Sequence, residues 1–163
     1  MFTFSLYPSS CYHNVPELIM GRQEKTYFID MDGVPYLIIK ISNNTWNPFN
    51  TECLFKQFFC IGNGDEVYLI NLHTKETKTI LCDMYFGYFY IYNNKLYITS
   101  NDRLFCFNHN CDMLWQTEKI AIDGVIVNGF SEKSLLVSCE TDPPGGWIQY
   151  QVSIFNGKIL SPR

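Results

Sequence analysis

Short runs of aromatic and β-branched residues, separated by small polar breaks, recur along most of this chain. The clearest stretch, residues 93–117, predicts three consecutive strands at Lys95–Thr99, Arg103–Phe107 and Met113–Thr117. Aromatic and β-branched residues favour strands, and the Asn, Asp and Ser residues between these runs favour tight turns. The pattern therefore predicts antiparallel hairpins joined in series.

The strand-turn-strand pattern repeats at a nearly constant spacing. Residues 67–80 align with residues 104–117 at an offset of 37, and residues 150–160 and 26–39 have the same form. Successive turn centres lie roughly 40 residues apart, which is the length of one β-propeller blade. We expect an all-β fold of consecutive antiparallel meanders in a small or incomplete propeller-like arrangement. A two-sheet β-sandwich built from the same meanders is the alternative.

One stretch resembles a known kind of repeat. The segments Leu96–Ser100, Asp102–Asn108 and Leu114–Gln116, with Asp112 between them, are similar to a blade of the quinoprotein-type (PQQ-like) and WD-type propellers. The resemblance covers about 25 residues. It implies a fold and not an activity, because such blades occur in enzymes and scaffolds alike. Four blades are few for a closed ring, which leaves an open or distorted propeller and the two-sheet sandwich as alternatives.

Three other segments bear on the fold. Asp32-Gly33 is a strong hairpin dipeptide between two apolar runs. Tyr7–Gly21 is broken by prolines and serines, and we expect at most one helical turn in it, at Glu17–Met20. Ser42–Thr51 has little periodicity and is predicted to be a loop.

Composition supports one folded all-β domain over residues 1–163. Hydrophobic residues make up 47% of the chain and charged residues only 17%, which excludes a disordered tail. Ala121 is the single alanine, whereas a helical protein of this length would use many more of the strongest helix former.

Charge and cysteine usage limit the partners and the compartment. The net charge is −4 and no basic cluster occurs, so we expect no nucleic-acid partner, whereas a basic protein would suit the chain. No apolar run has the length of a membrane span, and the first ten residues do not resemble a signal peptide. Seven scattered cysteines without a CxxC motif indicate reduced thiols. We expect a soluble cytoplasmic protein with no membrane partner.

Two motifs suggest chemistry, and neither is complete. Tyr27–Val34 (YFIDMDGV) resembles the first motif of the haloacid-dehalogenase phosphohydrolases, in which Asp30 and Asp32 would be the nucleophile and the acid/base. That family needs a βαβ body, but a second strand follows Val34, so a hairpin turn is the preferred interpretation.

The other motif is a possible metal site around one turn. Cys106, His109 and Cys111 have a metal-like spacing without a second ligand pair, and burial of the thiols explains them better. We expect no catalysis, no cofactor and no metal.

The remaining candidates point to protein binding. Thr141–Trp147 (TDPPGGW) combines two prolines, two glycines and a tryptophan, and Trp is a favoured interface anchor. Asp142, Pro143, Pro144 and Trp147 are therefore candidate binding residues; the alternative is a structural turn whose Trp packs into the core. Tyr88 and Tyr90, in the aromatic run 85–92, are weighed in the same way.

These observations favour a non-catalytic protein-interaction module. A small acidic all-β protein without catalytic residues fits an immunity protein, which binds and neutralises a toxin. The alternatives are a small-molecule binder or enzyme with a pocket between blades, and a structural subunit of a larger assembly.

Overall fold

The protein folds into sixteen short β-strands over the residues that the computed structural model describes, which are 1–8, 10–21, 25–42 and 51–162. Within these ranges, no helix is long and apolar enough to cross a membrane. The strands are β1 Phe2–Ser5, β2 Glu17–Met20, β3 Lys25–Met31, β4 Val34–Ile41, β5 Thr51–Phe55, β6 Phe58–Asn63, β7 Glu66–Asn71, β8 Thr77–Leu81, β9 Phe86–Tyr92, β10 Lys95–Ser100, β11 Leu104–Phe107, β12 Met113–Gln116, β13 Val125–Phe130, β14 Ser134–Asp142, β15 Gly146–Ser153 and β16 Ile159–Pro162.

The strands form four separate four-stranded sheets, which we call blades 1 to 4 in chain order. Blade 2 (β5–β8), blade 3 (β9–β12) and blade 4 (β13–β16) are antiparallel meanders in which each strand pairs with the next. Blade 1 has the order β1-β3-β4-β2, and its β2–β4 pair is parallel. The predicted all-β, propeller-like fold is confirmed, and four separate sheets exclude the two-sheet sandwich.

Short turns connect neighbouring antiparallel strands within the blades. Asn93 and Asn94 both have positive φ, which is the backbone of the two-residue turn whose twist matches a hairpin. Asp32 and Gly33 have the same conformation between β3 and β4, so the predicted Asp-Gly hairpin is confirmed. Asn and Asp tolerate this left-handed backbone better than most residues do, which explains their frequency in these turns.

The middle blades are buried on both faces because each one lies between two others. In β6, Phe59 and Ile61 pack toward blade 1, whereas Phe58 and Cys60 pack toward blade 3. All six residues of β6 are consequently buried. A strand that is covered on both sides reads in sequence as a continuous apolar run and does not alternate.

A third apolar cluster joins blades 3 and 4, with Tyr97, Leu104 and Cys106 on one side and Val137 and Cys139 on the other. The first strands of blades 2, 3 and 4 also contact one another in turn, β5 with β9 and β9 with β13. The described residues form apolar clusters between blades 1 and 2, 2 and 3, and 3 and 4, and none between blades 4 and 1. In the part of the chain that the structure describes, the blades therefore form an open row.

Two local expectations need correction or fall outside the described residues. Glu17–Met20 is a strand and not a helical turn, because its backbone pairs with Ile38–Ile41 and its Leu18 and Met20 side chains pack on the core. The core of the predicted loop Ser42–Thr51, residues 43–50, lies outside the described residues, and Thr51 already begins β5.

Candidate functional site

The meander places the loops of blades 2 to 4 at two opposite ends. One end, here called the upper end, has the loops 64–65, 82–85, 101–103, 117–124 and 143–145. The lower end has the loops 56–57, 72–76, 93–94, 108–112, 131–133 and 154–158. The sequence candidate Thr141–Trp147 lies at the upper end.

Charge is divided between the two ends of these three blades. Among the residues that the structure describes, the upper loops and the strand residues next to them carry nine acidic residues against two basic ones, and the lower end carries six lysines against three acidic residues. The acidic upper residues are Glu52, Asp65, Glu66, Asp83, Asp102, Glu118, Asp123, Glu140 and Asp142, and the lower lysines are Lys56, Lys75, Lys78, Lys95, Lys133 and Lys158. The net charge of −4 is therefore distributed unevenly, with an acidic upper end and a basic lower end.

The β14–β15 hairpin presents the candidate loop as a rigid projection. Asp142 pairs with Gly146, and the intervening Pro143–Pro144 peptide bond is cis. Thr141 Oγ1 donates a hydrogen bond to the Gly146 carbonyl oxygen at 3.0 Å, and the Gly145 N–H donates to a carboxylate oxygen of Glu140. Asp142, Pro143 and Pro144 are exposed, so the loop offers its side chains to solvent.

Trp147 lies on the surface of blade 4 and outside the core clusters, with 43% of its area exposed. The indole covers Gly124, where an added Cβ would come within 3.1 Å of the ring. Next to it, Tyr85 Oη donates a hydrogen bond to an Asp123 carboxylate oxygen at 2.7 Å. Burial, followed by this carboxylate, raises the pKa of Tyr85. An aromatic and acidic surface thus crosses the junction of blades 3 and 4.

The turn Ser100–Arg103 supports this surface from beneath. The Asn101 carbonyl accepts the Gly124 N–H, and the Asp102 carbonyl accepts the Ile120 N–H. The Asp102 side chain is only 2% exposed and binds Arg103 Nη2 at 3.0 Å. Burial alone would raise its pKa, but the hydrogen bonds from Arg103 and Ser100 outweigh that effect and lower the pKa of Asp102. This buried carboxylate is a structural support for the loops above it.

The two tyrosine candidates have different surroundings. Tyr90 is half-buried between blades 3 and 4, and its Oη accepts the Val127 N–H at 3.3 Å. Tyr88 is exposed and meets the Tyr90 ring edge-on, at 5.4 Å between centroids. Of this pair, Tyr88 is available to a partner, whereas Tyr90 joins two blades.

The metal-like turn does not bring its side chains together. Cys106 packs into the cluster between blades 3 and 4, Cys111 packs into the cluster between blades 2 and 3, and His109 is exposed. No group of three potential ligands in the described residues is arranged to hold a metal ion. The Asp30 and Asp32 pair is also divided, because Tyr12 Oη binds Asp30 and the terminal amine of Met1 binds Asp32.

A shallow polar cleft lies at the lower end between blades 2 and 3. Its lining includes Gln57, Glu76 and Lys78 from blade 2, with Asn110 and Asp112 from blade 3. Lys78 Nζ is already bound to Asp112 at 2.7 Å, and it also donates to the Asn110 carbonyl oxygen. The ammonium group therefore holds the two blades together within this cleft.

Sequence reasoning missed three residues of the upper surface, Tyr85, Ile122 and Asp123. Asp123 and Ile122 lie in the loop between β12 and β13, and Ile122 is exposed there. A signal did exist, since Tyr85 and Asp123 are 38 residues apart, close to the repeat spacing.

Comparison with known proteins supports the fold alone. No protein-family model and no curated protein sequence matches the chain. Among solved structures, hydrazine synthase of Kuenenia stuttgartiensis is similar over 96% of this chain and 52% of its own, with 12% identity and a TM-score of 0.55. The computationally designed Ika4 protein is similar over 69% of each chain, with 10% identity and a TM-score of 0.53. BamB from Moraxella catarrhalis matches 66% of this chain and 34% of its own, with 11% identity and a TM-score of 0.45.

Proposed function

We propose that this protein is a non-catalytic interaction module that binds another protein through the upper end of blades 3 and 4. The observation that carries the proposal is the division of charge, which places Glu118, Asp123, Glu140 and Asp142 at the same end of blades 3 and 4 as the Thr141–Trp147 projection. A partner with a basic surface would be attracted and oriented by this field before contact.

The aromatic side chains supply the contact itself. Trp147 is partly exposed beside Tyr85, and Tyr88 and Ile122 are exposed at or near the same end. Large amphipathic rings in a polar surround are typical of binding hot spots, whereas the acidic rim contributes mainly to the association rate. Two prolines in the projecting loop reduce the conformational entropy that binding would cost.

The finer proposal is that the partner is a protein toxin and that the chain acts as its immunity protein. Occlusion of a toxin requires only a rigid complementary surface, so no catalytic group is needed. An acidic surface suits a toxin with a basic face, for example one that acts on nucleic acid. The same reasoning predicts a cytoplasmic location, where a toxin would act.

Co-purification with the products of neighbouring genes tests the interaction. The tagged chain is expressed in its source cell, and the proteins that it captures are identified. Two test variants change the upper end, Trp147→Ala and Asp142→Lys. Two control variants change the lower end, Phe155→Ala and Glu132→Lys. Phe155 and Glu132 are matched controls, since they are an exposed aromatic and an exposed carboxylate at the lower end. We expect capture to be lost only in the first pair.

Quantitative binding then separates the steering charge from the contact. With the purified partner, association should slow several-fold between about 50 mM and about 300 mM salt, because the Debye length shortens. Trp147→Ala should instead accelerate dissociation. Equal binding by all four variants would overturn the upper-end proposal, and failure to protect cells against the captured protein would overturn the immunity role.

A small-molecule site is the second candidate, and the lower cleft is where it would lie. Lys78 and Asp112 neutralise each other there, which leaves no free charge from this pair to orient a ligand. The interaction module is therefore the preferred function. A structural subunit differs from it only in having a permanent partner.

A further inference from the structure

Two cysteines face each other across the first hairpin of blade 2. Cys53 of β5 and Cys60 of β6 are directly opposite in the antiparallel register. The other strand cysteines that the structure describes, Cys106 and Cys139, face aromatic or aliphatic residues across their ladders. Opposite residues in an antiparallel pair have Cα atoms about 4.5 to 5.5 Å apart, and disulfides span about 4.4 to 6.8 Å. The backbone therefore already holds Cys53 and Cys60 at the separation of a disulfide.

A third thiol lies beside this pair. Cys111, from the turn between β11 and β12, packs with Cys60 in the cluster between blades 2 and 3, and Cys53 packs against the same cluster. Hydrogen bonds with the thiols of Cys111 and Cys53, followed by burial, raise the pKa of Cys60 well above its ordinary value. Cys60 is therefore protonated at neutral pH and is a poor first target for an oxidant, because the thiolate is the reactive form.

Access from solvent distinguishes the three thiols. Cys60 and Cys111 are 0% and 1% exposed, whereas Cys53 is only half-buried at the edge of the cluster. An oxidant in solution therefore meets Cys53 first among the three. Reactive cysteines are partly exposed, and a redox-sensing cysteine often has a second thiol next to it that completes a disulfide. Cys53 has the position of the first thiol, and Cys60 that of the second.

We propose that Cys53 and Cys60 are a redox-active pair that hydrogen peroxide converts into a disulfide. The Cys53 thiolate attacks one peroxide oxygen, the O–O bond breaks, and Cys53 becomes a sulfenic acid. The released hydroxide takes up the proton that Cys53 lost and forms water. The Cys60 sulfur then attacks the Cys53 sulfur, the S–O bond breaks, and the hydroxyl group leaves with the Cys60 proton as a second water molecule.

The two thiols lose two electrons in total, and the peroxide is reduced to two molecules of water. The register makes the second step intramolecular, which offsets the protonated state of Cys60. The disulfide closes a loop of only eight residues, 53–60, within a hairpin that its own turn already closes. Its effect on the unfolded chain is therefore small, and the pair acts as a reversible chemical sensor and not as a structural staple.

A transient disulfide is compatible with the proposed cytoplasmic location, because disulfides there are usually catalytic or redox-sensing. The pair lies in blade 2, away from the Thr141–Trp147 projection, so its test is independent of the partner proposed above.

Peptide mapping of the full chain tests the proposal. The reduced, folded protein is treated with hydrogen peroxide, then unfolded in iodoacetamide and digested with trypsin in the absence of reductant. Trypsin cleaves after Lys56, between the two cysteines, so the disulfide joins two peptides that a dithiol reductant separates. We expect mass spectrometry to find the Cys53 peptide linked to the Cys60 peptide, and reduction to restore both thiols.

Three variants locate the chemistry, and circular dichroism checks the fold of each. Cys53→Ser should lose the linked peptide and leave Cys60 available to iodoacetamide after unfolding. Cys60→Ala should leave Cys53 without a second thiol, so that peroxide converts it to the sulfinic and sulfonic acids. Cys106→Ser is the matched control, because Cys106 is also a buried strand cysteine but faces Tyr97 and Trp115, and its linked peptide should equal that of wild type.

A wild-type chain in which Cys53 remains a free thiol, or is oxidised without a link to Cys60, would overturn the proposal. So would a disulfide from Cys53 to any other cysteine. Cys53→Ser changes a half-buried position and keeps the test decisive should Cys60→Ala fail to fold.

Discussion

The indole nitrogen of Trp115 donates a hydrogen bond to the main-chain carbonyl of Ile154, 39 residues further along and in the next blade. Side-chain hydrogen bonds at separations of 36 to 38 residues join other blade pairs, including Tyr36 Oη to Leu72 O, Lys56 to Asn94 and Lys119 to Asp83. The repeat spacing is thus also a spacing of contacts between blades. A change at one of these residues should weaken the junction as well as its own sheet.

Trp115→Phe should destabilise the protein by about 1 to 3 kcal/mol, because it removes the indole donor and leaves a buried carbonyl unpaired. Chemical denaturation monitored by circular dichroism measures the change. Trp147→Phe is the control, since Trp147 lies on the surface, and its cost should stay below about 0.5 kcal/mol. Equal costs for the two variants would contradict a specific role of Trp115 at the blade junction.

Gly157→Ala should be among the most damaging single-methyl additions in the chain. Gly157 has a φ of +71°, and an added Cβ would lie 2.6 Å from the Trp115 ring. Both the backbone strain and the overlap oppose the substitution, so we expect a loss of at least about 2 kcal/mol. Gly129→Ala is the matched control, because a Cβ added there would have no neighbouring atom within 4 Å and its φ is not positive. A Gly129→Ala variant as unstable as Gly157→Ala would refute this explanation.

The repeat and most strands of blades 2 to 4 could be predicted from the sequence, because each hairpin there joins strands that are adjacent in the chain. The predicted strands Lys95–Thr99 and Met113–Thr117 differ from the observed ones by a single residue. Turn chemistry and apolar runs decide such elements within about ten residues of chain.

The unpredicted features depend on partners that are distant in sequence. Glu17–Met20 has too few residues to separate a helical turn from a strand, and its parallel partner β4 lies about 20 residues away. The charge separation was also invisible in the linear sequence, because adjacent loops in the chain belong to opposite ends of the blades. Trp147 illustrates the same limit, since its place on an outer face follows from its register with Glu140.

Asp102 predicts a specific dependence of stability on pH. Its folded-state pKa is below the ordinary value of 3.8, so its ionised form stabilises the fold. That contribution is complete above the unfolded-state pKa and is lost as the pH falls below about 4 and through the folded pKa. Asp102→Asn should therefore lower stability at neutral pH by about 1 to 3 kcal/mol and flatten the acidic limb of the stability curve.

Urea denaturation from pH 7 down to about pH 3 measures both effects. Asp83→Asn is the control, since the Asp83–Lys119 pair is exposed on both sides and such pairs contribute little. The Asp83→Asn profile should follow wild type. An Asp102→Asn profile parallel to wild type below pH 4 would show that other carboxylates control the acid transition.

Two tyrosines at the junction of blades 3 and 4 should respond in opposite directions to loss of their hydroxyl groups. Within the described residues, the buried Tyr97 Oη has no hydrogen-bonding partner among nitrogen and oxygen atoms, and the side chain directly across the strand is Cys106. Tyr97→Phe removes an unpaired polar group, so its stability should equal or exceed that of wild type by up to about 1 kcal/mol. Tyr90→Phe removes the acceptor of the Val127 N–H and should cost about 0.5 to 1.5 kcal/mol. Each variant keeps the aromatic ring, so the free energy of unfolding measured in urea reports on the hydroxyl group alone. A destabilised Tyr97→Phe variant would contradict the prediction and would mean that Tyr97 Oη forms a stabilising hydrogen bond with the thiol of Cys106.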